Sequence, residues 1–175
     1  MLVERYQNNV FGLALKISNS REDAEEIAQD TFMKAFNALD TFKHKSSFAT
    51  WLYRITYNSS ITEIRKKKYN ILQIEDFPAD ANDFIRDSEN EEIAEREYKT
   101  SILNFAIQKL SSTDRAIISL YYYQDVSIEV IAGIIKTSKS NVKVKLHRAR
   151  KRIEEIICKR DFNESVKYEE LQEKL

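Results

Sequence analysis

The sequence predicts an all-α protein: two small helical domains joined by a flexible linker. Three observations carry this. Gly12, Gly133 and Pro78 are the only glycines and proline in 175 residues, too few for the tight turns of a strand-rich architecture. Apolar residues recur at helical spacing along most of the chain. Charge is zero overall but segregated, with net +3 over residues 1–68, −8 over 69–97, +8 over 98–160 and −3 over 161–175. Two basic blocks separated by an acidic connector suggest two domains that meet a polyanion.

The first helix is expected from Leu2 to about Ile17, on the apolar spacing of Val3, Tyr6, Val10, Leu13, Ala14 and Ile17. Ser18-Asn19-Ser20 breaks it, and Ser20 can cap the next helix with Asp23 three places on. That second helix, Arg21 to about Leu39, turns Ala24, Ile27, Ala28, Thr31, Phe32, Ala35 and Leu39 inward. Its other face carries Glu22, Glu25, Glu26, Gln29 and Met33, with Asp30 at the margin; it is either a solvated acidic face or a docking face for a basic helix. A polar loop, Asp40 to Ser47, holds Phe42, Lys43, His44 and Lys45. A lone loop phenylalanine flanked by cations either tucks into the core or receives an extruded base.

Ser46 or Ser47 can cap a central helix running to about Lys68. It has two apolar stripes where a surface helix needs one. Phe48, Trp51, Leu52 and Ile55 share one face, while Tyr53, Tyr57, Ile61 and Ile64 lie roughly opposite. Such a helix is buried on both sides or offers one to a partner. Its end, Arg65-Lys66-Lys67-Lys68, suits the negative end of the helix dipole, and equally a nucleic-acid backbone beside stacking aromatics.

Residues from Tyr69 to about Asn90 show no clean period and read as a linker. Helicity resumes near Glu91, with apolar positions Ile93, Tyr98, Ile102, Phe105, Ala106, Ile107 and Leu110. Ser111-Ser112-Thr113-Asp114 starts another helix with Ala116, Ile117, Leu120 and Tyr121 on its core side. A short helix from about Ser127 to Ile135, a tight link at Lys136-Thr137-Ser138 and a long helix from about Lys139 to Ile157 form a helix-turn-helix pattern. In the long helix Val142, Leu146, Ala149, Ile153 and Ile156 make one apolar stripe. Lys143, Val144, His147, Arg148 and Lys151 face the other way and can reach phosphates, guanine edges and thymine methyls. Arg148, Arg150, Lys151 and Arg152 lie too close together for ordinary i,i+4 pairing with acids. Cys158 is expected near the edge of the inward stripe as a small buried hydrophobe.

Asp23 to Phe32 (DAEEIAQDTF), Ala38 to Phe42 (ALDTF) and Phe48 to Ile55 (FATWLYRI) resemble the second conserved region of bacterial RNA polymerase sigma factors. The match is to the small extracytoplasmic-function (ECF) group. Leu110-Ser111 onward, through Ser127 to Ala132 (SIEVIA) and Asn141 to Arg150 (NVKVKLHRAR), resembles the fourth region. The resemblance divides the chain into sigma region 2 (1–68), an acidic linker (69–94), sigma region 4 (95–160) and an acidic tail (161–175), which has no derivable role.

It implies that Glu25, Glu26, Gln29 and Asp30 dock on the β′ clamp of core RNA polymerase. It implies that Phe42, Lys43, His44, Lys45, Ser46, Asn58 and Arg65 bind the melted −10 promoter element. Lys139, Ser140, Lys143, Val144, His147, Arg148 and Lys151 would enter the major groove of the −35 element, with the fourth region resting on the β flap. An anti-sigma factor is the further expected partner. One departure is Lys136, where many relatives carry Gly; in a left-handed conformation a lysine costs on the order of 1 kcal/mol there.

A stand-alone helix-turn-helix regulator explains the C-terminal half but leaves the acidic face and aromatic central helix unexplained, and it is normally a symmetric dimer. An RNA-binding adaptor could use the same central helix for stacking. Enzyme chemistry is not expected: His44 and His147 are the only histidines, no Cys/His pairing suits zinc, and there is no phosphate-cradling glycine loop. No cofactor or metal is expected. No apolar run approaches the ~18 residues of a membrane span and no signal peptide opens the chain, so a cytoplasmic protein without direct membrane insertion is expected.

Overall fold

The computed structural model describes residues 2–71 and 91–172, with side-chain surroundings for 2–68 and 96–160. Most of the expected linker, the Ile93 side chain and the side chains of the acidic tail lie outside the described residues. Those residues form seven α-helices: α1 (Leu2–Ser18), α2 (Arg21–Asn37), α3 (Phe48–Ile71), α4 (Glu91–Gln108), α5 (Ser112–Ile118), α6 (Ile128–Ile135) and α7 (Lys139–Gln172). A 3₁₀ turn, Leu39–Thr41, follows α2, and a π-helical turn, Ser119–Tyr123, follows α5. The all-α expectation holds.

Serine starts five of these helices. The hydroxyls of Ser20, Ser47, Ser111, Ser127 and Ser138 accept from the backbone N–H three residues on, at 3.1–3.4 Å. Each satisfies a donor that the first helical turn leaves without a partner, for about 1 kcal/mol. At the opposite end of α6, Lys136 adopts φ 57°, ψ 55°. This left-handed residue stops the helix and redirects the chain into the three-residue link before α7.

The chain divides into two compact units, Met1–Pro78 with Ser111–Leu146, and Ala79–Leu110 with His147–Leu175. α5 and α6 fall in the first unit, with α1–α3. In the first unit, Val10, Ala35 and Leu52 form a core bordered by Tyr6, Ala28, Phe32, Phe48, Trp51 and Ile55. A neighbouring cluster joins Ala14, Ala24 and Ile27. α3 packs against α1 and α2 on one side and against α6 on another, which accounts for its two apolar stripes. Two buried hydroxyls on α3 are satisfied locally: Thr56 and Ser60 donate to carbonyls one turn back at 3.0 and 2.8 Å.

Several expectations are corrected. α2 ends at Asn37, two residues before Leu39, whose side chain sits in the 3₁₀ turn and is exposed. The ring of Tyr98 is likewise exposed on α4, although Ile102, Ala106, Ile107 and Leu110 are buried. The helix expected to end near Ile157 continues to Gln172, because nothing between those residues (no Gly, no Pro) stops it. Cys158 is exposed. At about 100° per residue it lies roughly 160° around the helix from Val142, on the side away from the buried stripe.

Candidate nucleic-acid interface

The loop between α2 and α3 is organised by its aromatics. Phe42 is half-buried, with ring centroids 5.7 Å from Phe48, 5.1 Å from Trp51 and 4.5 Å from His44. Edge and tilted contacts at these separations suit the ring quadrupoles. His44 takes a left-handed φ of 54°, and Lys43, His44, Lys45 and Ser46 remain exposed around the buried edge of Phe42. Of the two fates open to Phe42, the structure places its ring against the α3 aromatics.

Trp51 links this loop to a cavity of about 350 Å³ lined by Lys34, Ala38, Trp51, Ile55, Asn58, Ser59 and Thr62. Asn58 is exposed at its edge, and Arg65, seven residues on, follows the same side of α3. Lys34 bridges the α2 wall to α3, donating to Asp30 Oδ2 at 2.5 Å and to Ser59 Oγ at 3.0 Å. Partial burial pushes the Asp30 carboxyl up, but the Lys34 and Ser59 hydrogen bonds and the Lys34 and Lys66 charges outweigh it and hold it below the usual carboxylate range.

The basic end of α3 is only partly available. Lys67 pairs with the buried Asp23 of α2, and Lys66 pairs with Glu63 at 3.3 Å. Arg65 and Lys68 are exposed and make no ion pair among the described residues. One member of the cationic block is thus an internal brace between helices.

On α2, Glu22, Glu25, Glu26 and Gln29 are exposed, with Arg21 paired to Glu25 at 3.1 Å, and Asp30 is half-buried. The face continues into bare hydrocarbon, since Met33 is 63% and Phe36 77% exposed. Phe36 escaped the sequence reading, although it lies one helical turn from Met33 and two from Gln29 on the same stripe. Met33 and Phe36 together extend the charged stripe with exposed apolar surface.

The second candidate surface lies on α7. Lys139, Ser140, Lys143, Val144, His147, Arg148 and Lys151 are all exposed along one face, opposite the buried Val142, Leu146 and Ala149. Lys139 also pairs with Glu129 of α6. Lys145 points elsewhere, bonding Asp114 at 3.2 Å and tying α7 to α5. Asn141 Nδ2 donates to Thr137 Oγ1 at 2.7 Å, which fixes the link to the start of α7. Arg152 lies 3.5 Å from Glu155, one turn away, so not all of the arginine cluster is without acidic partners. Beside the start of the helix, a groove of about 740 Å³ runs between Tyr121, Tyr122, Asp125 and the Lys139 and Lys143 side chains. The arrangement presents a row of cations, one imidazole and one apolar contact at groove-reading spacing.

Among the described residues no group of three His, Cys, Asp or Glu side chains could hold a metal, and no helix is long and apolar enough to cross a membrane.

Comparison with known proteins gives the surfaces a context. Residues 2–69 match the family described as Sigma-70 region 2, and residues 101–153 match Sigma-70, region 4. The RNA polymerase sigma factor YlaC of Bacillus subtilis is 31% identical over 153 residues, covering 85% of this chain and 86% of that protein. The ECF RNA polymerase sigma factor SigW of the same organism is 30% identical over 161 residues, covering 85% and 83%. The fold is similar to that of the sigma factor RpoE, solved in complex with the anti-sigma factor NepR from Bartonella quintana, with a TM-score of 0.72 at 23% identity, covering 89% of this chain and 93% of that one.

Proposed function

Because the chain belongs to the ECF group of RNA polymerase sigma factors, we propose that it binds core RNA polymerase, carries it to promoters with particular −35 and −10 elements, and promotes opening of the DNA. The carrying observation is the pair of matched segments in one chain, region 2 over 2–69 and region 4 over 101–153. A stand-alone regulator would leave the first of these without a purpose.

In this reading residues 1–68 serve the clamp and the −10 element, and residues 95–160 serve the −35 element and the β flap. Glu25, Glu26, Gln29 and Asp30 dock on the β′ clamp, and Phe36 adds an apolar anchor beside them. Lys139, Ser140, Lys143, Val144, His147, Arg148 and Lys151 enter the major groove of the −35 element. Phe42 to Ser46, Asn58 and Arg65 hold the melted −10 strand. Opening proceeds by capture: unstacking a base costs a few kcal/mol, offset when the extruded base is held by protein groups and its phosphates by cations. The cavity edged by Trp51 and Asn58 offers a ring to stack on and an amide to hydrogen-bond a base edge. The nucleotidyl chemistry belongs to the polymerase, and the protein acts in the cytoplasm without chemistry of its own. An anti-sigma factor is a further partner, a reading supported by the resemblance to RpoE, which was solved with one bound.

The test is promoter-specific transcription by purified core polymerase with and without this protein, alongside a gel shift without polymerase. Specific transcripts that need both components, with weak DNA binding by the protein alone, are expected. Tight, sequence-specific binding to DNA with no effect on the core enzyme would sink the proposal.

A further inference from the structure

Between Lys139 and Lys151, Val144 is the only exposed apolar side chain on α7. At about 100° per residue it stands roughly 160° around the helix from both Val142 and Leu146. Those two are buried and Val144 is 44% exposed, so it belongs to no buried stripe. Ser140 and Arg148, one turn to either side, are exposed, as are Lys143 and His147. Lys145, its neighbour in sequence, is committed elsewhere through its bond to Asp114 at 3.2 Å.

Neither packing nor helix propensity accounts for a valine there. A β-branched residue forms helix less readily than the lysines and arginines around it. A single exposed valine is ordinary on a helix that faces only water. This one lies in the second turn of the second helix of a helix-turn-helix, the part whose side chains reach base edges in a major groove. Valine can neither donate nor accept a hydrogen bond. What it can meet favourably in that groove is the C5 methyl group of thymine. Its branched Cβ already restricts it to one favoured rotamer in a helix, so contact costs little further freedom. Cytosine would instead bring its N4 amino donor towards Val144, which offers no acceptor, and Lys143 and Arg148 only donate. Stripping water from that amino group would go uncompensated.

We propose, resting on the sigma reading above, that Val144 is a specificity-determining residue that reads the C5 methyl group of one pyrimidine in the −35 element. What it reads is the methyl group and not the rest of the base. At that pair 5-methylcytosine therefore regains part of what cytosine loses against thymine. A promoter with cytosine there binds the polymerase carrying this chain more tightly once that cytosine is methylated.

The probe is a promoter duplex selected by core polymerase with the full-length protein from a pool whose −35 window is randomised. Each thymine in that window, on either strand, is replaced in turn by deoxyuridine, which lacks only the methyl group. At the sensitive pair, duplexes carrying thymine, uracil, 5-methylcytosine and cytosine are then compared by competition binding. Removing the methyl group should weaken binding about fourfold, in the thymine–uracil and the 5-methylcytosine–cytosine comparisons alike, as expected for one buried methyl. Val144→Ser removes both valine methyls from an exposed position, so the protein still folds, and both ratios should fall below about 1.5-fold. His147→Ala should leave both ratios near their wild-type values.

A −35 window in which no methyl group affects binding overturns the proposal, and so do ratios that survive Val144→Ser. Ratios lost with His147→Ala but kept with Val144→Ser give the contact to the imidazole and overturn it equally. A response to uracil without one to 5-methylcytosine overturns the claim that the methyl group is read apart from its base. Failure of the sigma reading itself is separately visible, as a pool from which polymerase with this protein selects nothing that core polymerase alone does not.

Discussion

Lys136→Gly provides a quantitative test of the helix-turn-helix. Lys136 ends α6 at φ 57°, ψ 55°, its N–H bonding the Ala132 carbonyl, and Thr137 N–H reaches the same carbonyl at 2.9 Å. A side chain in this region costs roughly 1–2 kcal/mol through the clash of Cβ with the following carbonyl. Glycine relieves that cost but gives the unfolded chain about 0.4–1 kcal/mol of additional conformational freedom. The net expectation is a gain of about 0.5–1 kcal/mol, or a rise in Tm of about 1–4 °C for a chain of this size. Lys136→Ala keeps the strain and removes the charge, so it should melt within about 1 °C of wild type. Thermal and urea unfolding of the three proteins, followed by circular dichroism, decide the matter. A Lys136→Gly protein that melts at or below wild type while Lys136→Ala is unchanged would refute the strain assigned to this position.

Three further outcomes are expected. Phe36→Ala removes a side chain that is 77% exposed, so unfolding stability should stay within about 0.5 kcal/mol of wild type while affinity for core polymerase drops on the order of tenfold; an unchanged affinity in a fluorescence binding assay removes Phe36 from the docking surface. Lys67→Met leaves the Asp23 carboxylate, 10% exposed, without its cation, at a cost of about 1 kcal/mol once the half exposure of the lysine is allowed for, and adding Asp23→Asn should recover part of it; a double-mutant cycle with no measurable coupling in urea would show that the brace contributes nothing. His147→Ala should alter preference at one −35 position with non-specific binding nearly intact, whereas Arg148→Ala should weaken binding to all sequences and flatten the salt dependence; an equal loss on every sequence for His147→Ala would reassign that residue to the phosphates.

Much of this molecule was legible one helical turn at a time. Serine hydroxyls that accept from N–H groups three residues ahead, the apolar stripes of α1 and α2, the short link between α6 and α7, and the burden on Lys136 are all settled by neighbours within about five residues. Local hydrogen bonds and the 3.6-residue period carry that information in the sequence itself. The outward face of α7 followed for the same reason, because the buried Val142, Leu146 and Ala149 dictate which side chains point away.

Packing decided the rest. Nothing local to Arg65-Lys66-Lys67-Lys68 says that Lys67 reaches an aspartate 44 residues earlier in the chain, or that Lys145 bonds Asp114 instead of facing outward. Leu39 has the spacing of a core residue, but α2 stops short of it, and no local pattern marks the Phe36 ring as uncovered. The two stripes of α3 were plain, but what covers them was not. An amphipathic pattern states that a face needs burial and is silent about which partner buries it. The pairing of α3 with α6, and the meeting of Asn9, Tyr53 and Gln124 across as many as 115 residues of chain, depends on loop paths and a π-helical turn that no local pattern encodes. The sequence alone determined the helices and which side chains of α7 face outward; the tertiary structure alone determined that α6 and the segment ending at Gln124 pack on α3 and α1, because only three-dimensional packing selects among faces that are equally apolar.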